Sequence, residues 1–191
     1  MTTDTKLVAA AAALLDAAGE PAVTIRAVAQ AVGVSHNAPY KHFKSRDALL
    51  EAVVLSDIVS MTDALRQIQQ SSAAPTEKLR RALLSLVDYG SRHPARYQLL
   101  LNDPRFAVPD GRLQEAADSH FDAFDAIVQE WQGAEGLGDV SHITLSGLLF
   151  ATVHGLVSLT ASGRMSPEKE LADMVDSLDV MIQLIVRRDV N

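Results

Sequence analysis

The side chains best suited to chemistry in this 191-residue chain crowd into residues 24–43, TIRAVAQAVGVSHNAPYKHF, and the lysine just beyond. His36, Asn37, Tyr40, Lys41 and His42 can each hydrogen-bond a base edge or a phosphate, and an asparagine can grip adenine with two bonds. Lys41 and Lys44 offer positive charge to phosphate oxygens. Thr24, Ser35 and Ser45 place hydroxyls where helices should begin, and the free N–H groups of a helix start also attract anions. Together with Arg26, the set Thr24, Ser35, His36, Asn37, Tyr40, Lys41, His42 and Lys44 is the candidate surface for duplex DNA.

The elements that must position these groups follow from their neighbours. Thr24 opens a short helix over residues 25–31, and Gly33 breaks the chain between Val32 and Val34. Glycine accepts the left-handed backbone of a tight turn without steric cost. Ala29 is small enough for a second helix to cross closely, and Val28, Val32 and Val34 supply a shared core. Ser35 then caps a third short helix ending near Phe43. Two short helices about a glycine turn form a helix-turn-helix, whose second helix lies in the major groove. The plainer reading is a helical hairpin with a solvated polar face. Pro39 removes a backbone donor and disfavours helix at Ala38, which predicts a short, tightened recognition helix packed by Tyr40 and Phe43.

Carried on through KSRDALL at 44–50, this segment resembles the DNA-binding region of the TetR/AcrR family of transcriptional regulators. The resemblance is close over about residues 5–55 and one of layout beyond. It implies a three-helix N-terminal domain followed by a divergent helical domain for ligand binding and dimerisation. Pro39 stands where many members carry Leu or Ile. Val153-His154-Gly155 is similar to the Trp-His-Gly element of one subgroup, with Val in place of Trp.

The rest of the chain reads as all-α, with about nine helices: 3–18, 25–31, 35–43, 45–70, 75–93, 95–101, 112–131, 141–162 and 167–188. Gly19, Pro75, Pro94, Asn102-Asp103-Pro104 and Gly133–Asp139 supply the breaks. No sustained alternation marks a strand. The expected division is a DNA-binding domain at 1–46 and a ligand-binding and dimerisation domain at 47–191.

One helix-turn-helix covers one half-site, so a two-fold dimer is expected. Leu171, Met174, Leu178, Met181 and Ile185 repeat at 3-4-3-4 spacing, a coiled-coil-like seam that Val175, Ile182 and Leu184 widen. Gly147, Ala151 and Gly155 recur every fourth residue and permit close backbone approach. These residues form the expected dimer interface. Polar groups set among apolar ones mark an expected effector pocket: Tyr89, His93, His120 and His154 among Met61, Leu65, Leu101, Phe106, Phe121, Phe124 and Phe150. The implied effector is a small, largely apolar molecule. No cofactor is expected. No metal is expected either, because cysteine is absent and no histidine pair has HExxH spacing.

Zero cysteine also excludes a disulfide scaffold and a thiol nucleophile. The net charge of −7 argues at first against nucleic acid. Its distribution reverses that reading. Residues 1–50 hold five bases and four acids, whereas 51–191 hold twelve bases and twenty acids. The acidic part would face away from DNA and hinder nonspecific adhesion. Residues 7–15 read as an amphipathic helix rather than a signal peptide, and the uncharged run 140–163 as a helix buried between others rather than a membrane span. The expectation is a cytoplasmic homodimeric repressor that leaves its DNA when the effector shifts the helix 45–70. The alternatives are an adaptor or ligand-binding protein without DNA binding, and an enzyme, for which no nucleophile elbow or phosphate loop is present.

Overall fold

The computed structural model describes residues 2–106, 111–165 and 173–186. Among them the chain forms eight α-helices and no strand: α1 (Thr3–Ala18), α2 (Ile25–Val32), α3 (Arg46–Gln70), α4 (Pro75–Arg92), α5 (Pro94–Asn102), α6 (Gly111–Ala134), α7 (His142–Ala161) and α8 (Met174–Val186). The all-α fold is as the sequence implies. The ninth helix differs, because residues 35–43 form a three-residue 3-10 turn, Pro39–Lys41, rather than an α-helix.

Local signals set the boundaries. Gly19, at φ 73°, ends α1, and its N–H bonds the Leu15 carbonyl at 2.9 Å. Thr24 caps α2, its hydroxyl oxygen accepting from Ala27 N–H at 3.0 Å, and Ser45 caps α3 by accepting from Ala48 N–H at 3.1 Å. Gly33 is left-handed at φ 75° and ψ 33°, with Val34 N–H bonded to the Ala29 carbonyl at 3.0 Å. No other atom lies within 4 Å of a Cβ built there, so the backbone angle, not crowding, requires glycine.

The helices group into two compact units. The first comprises the described residues of 1–60 and 93–117. Its core is built from Leu7, Ala11, Leu15, Val28, Leu49 and Val53, with α1 packed on α2 and on α5. Tyr97 is also buried in this unit, which pushes its hydroxyl pKa up.

The second unit comprises the described residues of 61–92 and 118–191. Here α4 packs on α7 and α8, and Leu83, Phe124, Ile127, Trp131, Leu149 and Val153 fill the core. Three polar ties fasten it. Lys78, nearly buried, donates to Glu130 at 2.8 Å; Arg80 grips Asp179 with two bonds of 2.7 and 3.0 Å. The third centres on the buried carboxylate of Asp125, which accepts from Ser146 at 2.6 Å and Gln129 at 2.6 Å, with His142 Nδ1 at 3.0 Å. Burial alone would push the Asp125 carboxyl up, but these partners outweigh it and hold it below the usual carboxylate range. Helix α7 is long and apolar enough to cross a membrane by length and composition; Leu145, Ser146, Leu149, Val153 and Val157 are the buried face it turns inward.

Candidate nucleic-acid interface

The path from Gly33 to Ser45 is short and tightly bonded. Ala38 N–H bonds the Ser35 carbonyl at 2.9 Å, and His42 and Phe43 N–H both bond the Pro39 carbonyl at 2.9 Å. Pro39 has no N–H to continue an α-helical ladder, so bonds to the third residue back take over through His42, and a bond to the fourth residue back returns only at Phe43. With three residues per turn, Pro39 points inward and is buried. Tyr40 is thereby turned out, 57% exposed. This corrects the expectation that Tyr40 packs the segment; Pro39 is buried there instead, with half-buried Phe43.

Thr24, Arg26, Ser35, His36, Asn37, Tyr40, Lys41, His42 and Lys44 are all exposed, and all belong to the first unit. The oxygens of Thr24 and Ser45 accept helix N–H groups, leaving each O–H as a donor for an anion. Arg46 is not part of the free basic set. Its guanidinium donates to the Val23 carbonyl at 2.6 Å, the Glu20 carbonyl at 2.6 Å and the Glu20 carboxylate at 3.0 Å.

Ion pairs that sequence spacing does not announce hold α5 and the turn after it within the first unit. Arg96 pairs with Asp57 at 2.8 Å and Asp16 at 3.5 Å, and His93 Nδ1 lies 2.9 Å from Asp16. Arg105 reaches Asp47 at 2.6 Å and Glu20 at 2.7 Å. Partners 39 to 85 residues apart leave no local pattern to read.

The expected effector residues are divided. His93, Leu101 and Phe106 lie in the first unit. The second unit brings Phe121, Phe124, Phe150 and His154 together. Ring centroids of Phe150 are 6.3 Å from Phe121, 6.1 Å from Phe124 and 4.1 Å from the His154 imidazole. Thr62, absent from the expected set, sits 3.3 Å from Nδ1 of buried His120. Leu65 is buried in the same unit, and Met61 and Tyr89 are half-buried. Among the described residues no group of three or more His, Asp or Glu is placed to hold a metal ion.

Burial pushes the His120 pKa down to about 4; burial, and then the nearby His120, do the same to His154. Both are therefore neutral in the folded state at pH 7. Unfolding restores a pKa near about 6.5. The stability contributed by the neutral forms is complete above pH 6.5 and is lost as pH falls from there towards 4. Each pKa unit is worth about 1.4 kcal/mol per group. We expect melting temperature to fall across that window, and His120→Gln/His154→Gln to flatten the fall. An equal pH slope in the variant would contradict the assignment.

Of the expected dimer residues, Leu178 and Ile182 are buried in the protomer's own core. Gly147 and Ala151 are exposed, and Gly155, Met174, Val175, Met181 and Ile185 are half-buried; Leu171 lies outside the described residues. Within the second unit α7 and α8 border a groove of about 940 Å³, lined by Thr144, Leu148, Val180, Met181, Leu184 and Ile185 among others. Leu148, Val180 and Leu184 are 56, 53 and 63% exposed. No side chain comes within 4 Å of a Cβ built on Gly147 or Gly155.

Residues 7–53, which span the glycine turn and its flanking helices, match the model for bacterial regulatory proteins of the tetR family. Residues 79–185 match the model for the tetracyclin repressor-like C-terminal domain. The chain belongs to the TetR family.

Among relatives of this TetR-family regulator, the nucleoid occlusion factor SlmA of Escherichia fergusonii is 27% identical over 145 residues, 73% of each chain. A Rhodococcus sp. RHA1 protein of unknown function superposes with a TM-score of 0.82 at 25% identity, covering 98% of this chain and 95% of that one. The transcriptional regulator FadR of Bacillus subtilis, solved in complex with stearoyl-CoA, shares the fold with a TM-score of 0.71 at 13% identity, over 96% of this chain and 97% of that one. The TetR-family regulator is thus a helix-turn-helix DNA-binding protein with a helical C-terminal domain.

Proposed function

We propose that this TetR-family regulator is a cytoplasmic repressor that binds a palindromic operator as a homodimer and is released by a small, largely apolar molecule. The observation that carries the reading is the exposed donor set of residues 35–44, held on a proline-tightened turn behind a left-handed Gly33. In this reading residues 1–46 act as the DNA-binding module and 47–191 as the module for effector and partner. His36, Asn37 and Tyr40 read base edges, and Lys41, His42, Lys44, Thr24, Arg26 and Ser35 contact the backbone.

The α7–α8 groove supports dimerisation. Three large apolar side chains stand exposed along it, and Gly147, Ala151 and Gly155 on α7 leave backbone open to close approach. The Phe121–Phe124–Phe150–His154 cluster, with Thr62–His120, supports an apolar effector oriented by neutral imidazoles. A FadR that shares the fold is solved in complex with stearoyl-CoA, which lends support to an effector with apolar character. Effector binding would act through α3, whose residues 46–60 belong to the first unit and 61–70 to the second. Release requires that the effector favour the state whose two recognition turns are not spaced by about one DNA turn, roughly 34–36 Å. Selection of bound duplexes from a random pool tests the reading: an inverted repeat is expected, and no enrichment over the input would contradict it.

A further inference from the structure

Two carboxylates share the N-terminal unit with the lysines assigned to DNA, and Arg46 lies within ion-pair reach of both. Asp47 follows Lys44 by three residues in the first turn of α3 and is 61% exposed, and Glu20 is 35% exposed. Left unpaired, they would oppose the attraction that the lysines of the same unit exert on phosphate. Arg46 takes part of that charge, at 3.0 Å from Glu20 and 4.0 Å from Asp47. The rest is met by Arg105, which touches both carboxylates yet comes from the turn after α5, 58 residues beyond Asp47 and 85 beyond Glu20.

Arg105 is held in place for this contact. Its Nε donates to Asp103 at 2.9 Å, and its backbone N–H bonds the same carboxylate oxygen at 2.9 Å. The guanidinium lies 5.6 Å from the ring centroid of Phe106, which is only 9% exposed. These contacts raise the Arg105 pKa and hold the Asp103 carboxyl below its usual range, so both stay charged. Half-exposed ion pairs contribute little to stability. Their effect on the local field is larger. Glu20, Asp47 and Asp103 against Arg46 and Arg105 leave one net negative charge, and without Arg105 there are two.

We propose that Arg105 is a positioning residue for DNA binding, a guanidinium carried by the segment after α5 that masks Glu20 and Asp47 in the unit that carries Lys41 and Lys44. The proposal rests on the reading that residues 24–44 face DNA.

The test is fluorescence anisotropy of a labelled mixed-sequence duplex with the full chain, as wild type, Arg105→Gln, Glu20→Gln/Asp47→Asn and the triple variant. At about 50 mM salt Arg105→Gln is expected to bind about tenfold more weakly, and the gap should close as screening shortens towards about 0.3 M. The triple variant should return to wild-type affinity or better, and Glu20→Gln/Asp47→Asn alone should bind more tightly than wild type. A merely structural role for Arg105 gives a gap that salt does not close and the carboxylate changes do not repair; either result overturns the proposal, as does wild-type affinity in Arg105→Gln. Should Arg105→Gln melt below the assay temperature, the carboxylate variant decides, and its failure to tighten binding overturns the proposal. A wild type that binds no duplex at low salt overturns the DNA reading and this proposal together, whereas a wild type that binds while Arg105→Gln is unaffected overturns the proposal alone.

Discussion

Replacing Tyr40, Lys41 and Lys44 together by alanine is expected to remove DNA binding while leaving the fold intact. All three side chains are exposed, so their removal should change stability by no more than about 0.5 kcal/mol each. Their loss from the phosphate-facing surface is much larger. Two lysines per protomer make four contacts in a dimer, and each contact adds roughly 0.9 to the slope of log affinity against log salt. The slope should therefore drop by about 3.6, and affinity at about 0.1 M salt by roughly a thousandfold or more. Anisotropy across a salt series measures both quantities, and circular dichroism checks the fold. A variant that keeps the wild-type slope would place the DNA surface elsewhere.

The second large effect is expected at the α7–α8 groove. Leu148→Glu/Leu184→Glu puts two carboxylates per protomer on a face that we assign to the partner. Buried without counter-charges they would repel one another and oppose association. Both leucines are more than half exposed in the protomer, so the substitutions remove little of its own packing. Sedimentation velocity should show a dimer for the wild type and a monomer for the variant. Operator affinity should fall by about a hundredfold or more, because linkage of two half-sites is lost. A variant that remains dimeric would move the interface off this groove.

Local signals in the sequence were legible because they act over a few residues. Gly19 stops α1, Thr24 and Ser45 cap their helices, and Gly33 takes the left-handed turn, all as composition and spacing imply. Pro39 announced tightening, but not that a period of three would bury proline and expose Tyr40. The 3-4 seam of α8 could not say which apolar residues serve the protomer. Leu178 and Ile182 fill its core, while Leu184, expected to widen the seam, and Val180, not among the expected residues, remain on the surface.

Long-range pairing was hidden for a different reason. Nothing in the vicinity of Arg105 points to Glu20 or Asp47, and nothing near Asp125 points to Ser146, 21 residues away. Folding alone joins them. The same holds for the effector residues. Hydrophobic context selects His93, Leu101 and Phe106 along with Phe124 and His154, but α5 and its following turn fold with the first unit, through Arg96, His93 and Arg105. The charge split between residues 1–50 and the remainder was readable at once; that Arg105 from the acidic part offsets two acids of the basic part was not.

The central claim, a two-fold dimer reading DNA through residues 35–44, is tested most directly by titrating the selected palindrome and a shuffled duplex with the wild-type chain across a salt series. The account predicts saturation at two protomers per palindrome, affinity at least about a thousandfold above that for the shuffled duplex, and weakening of both with salt. Equal affinity for the two duplexes, or saturation at one protomer, would contradict it.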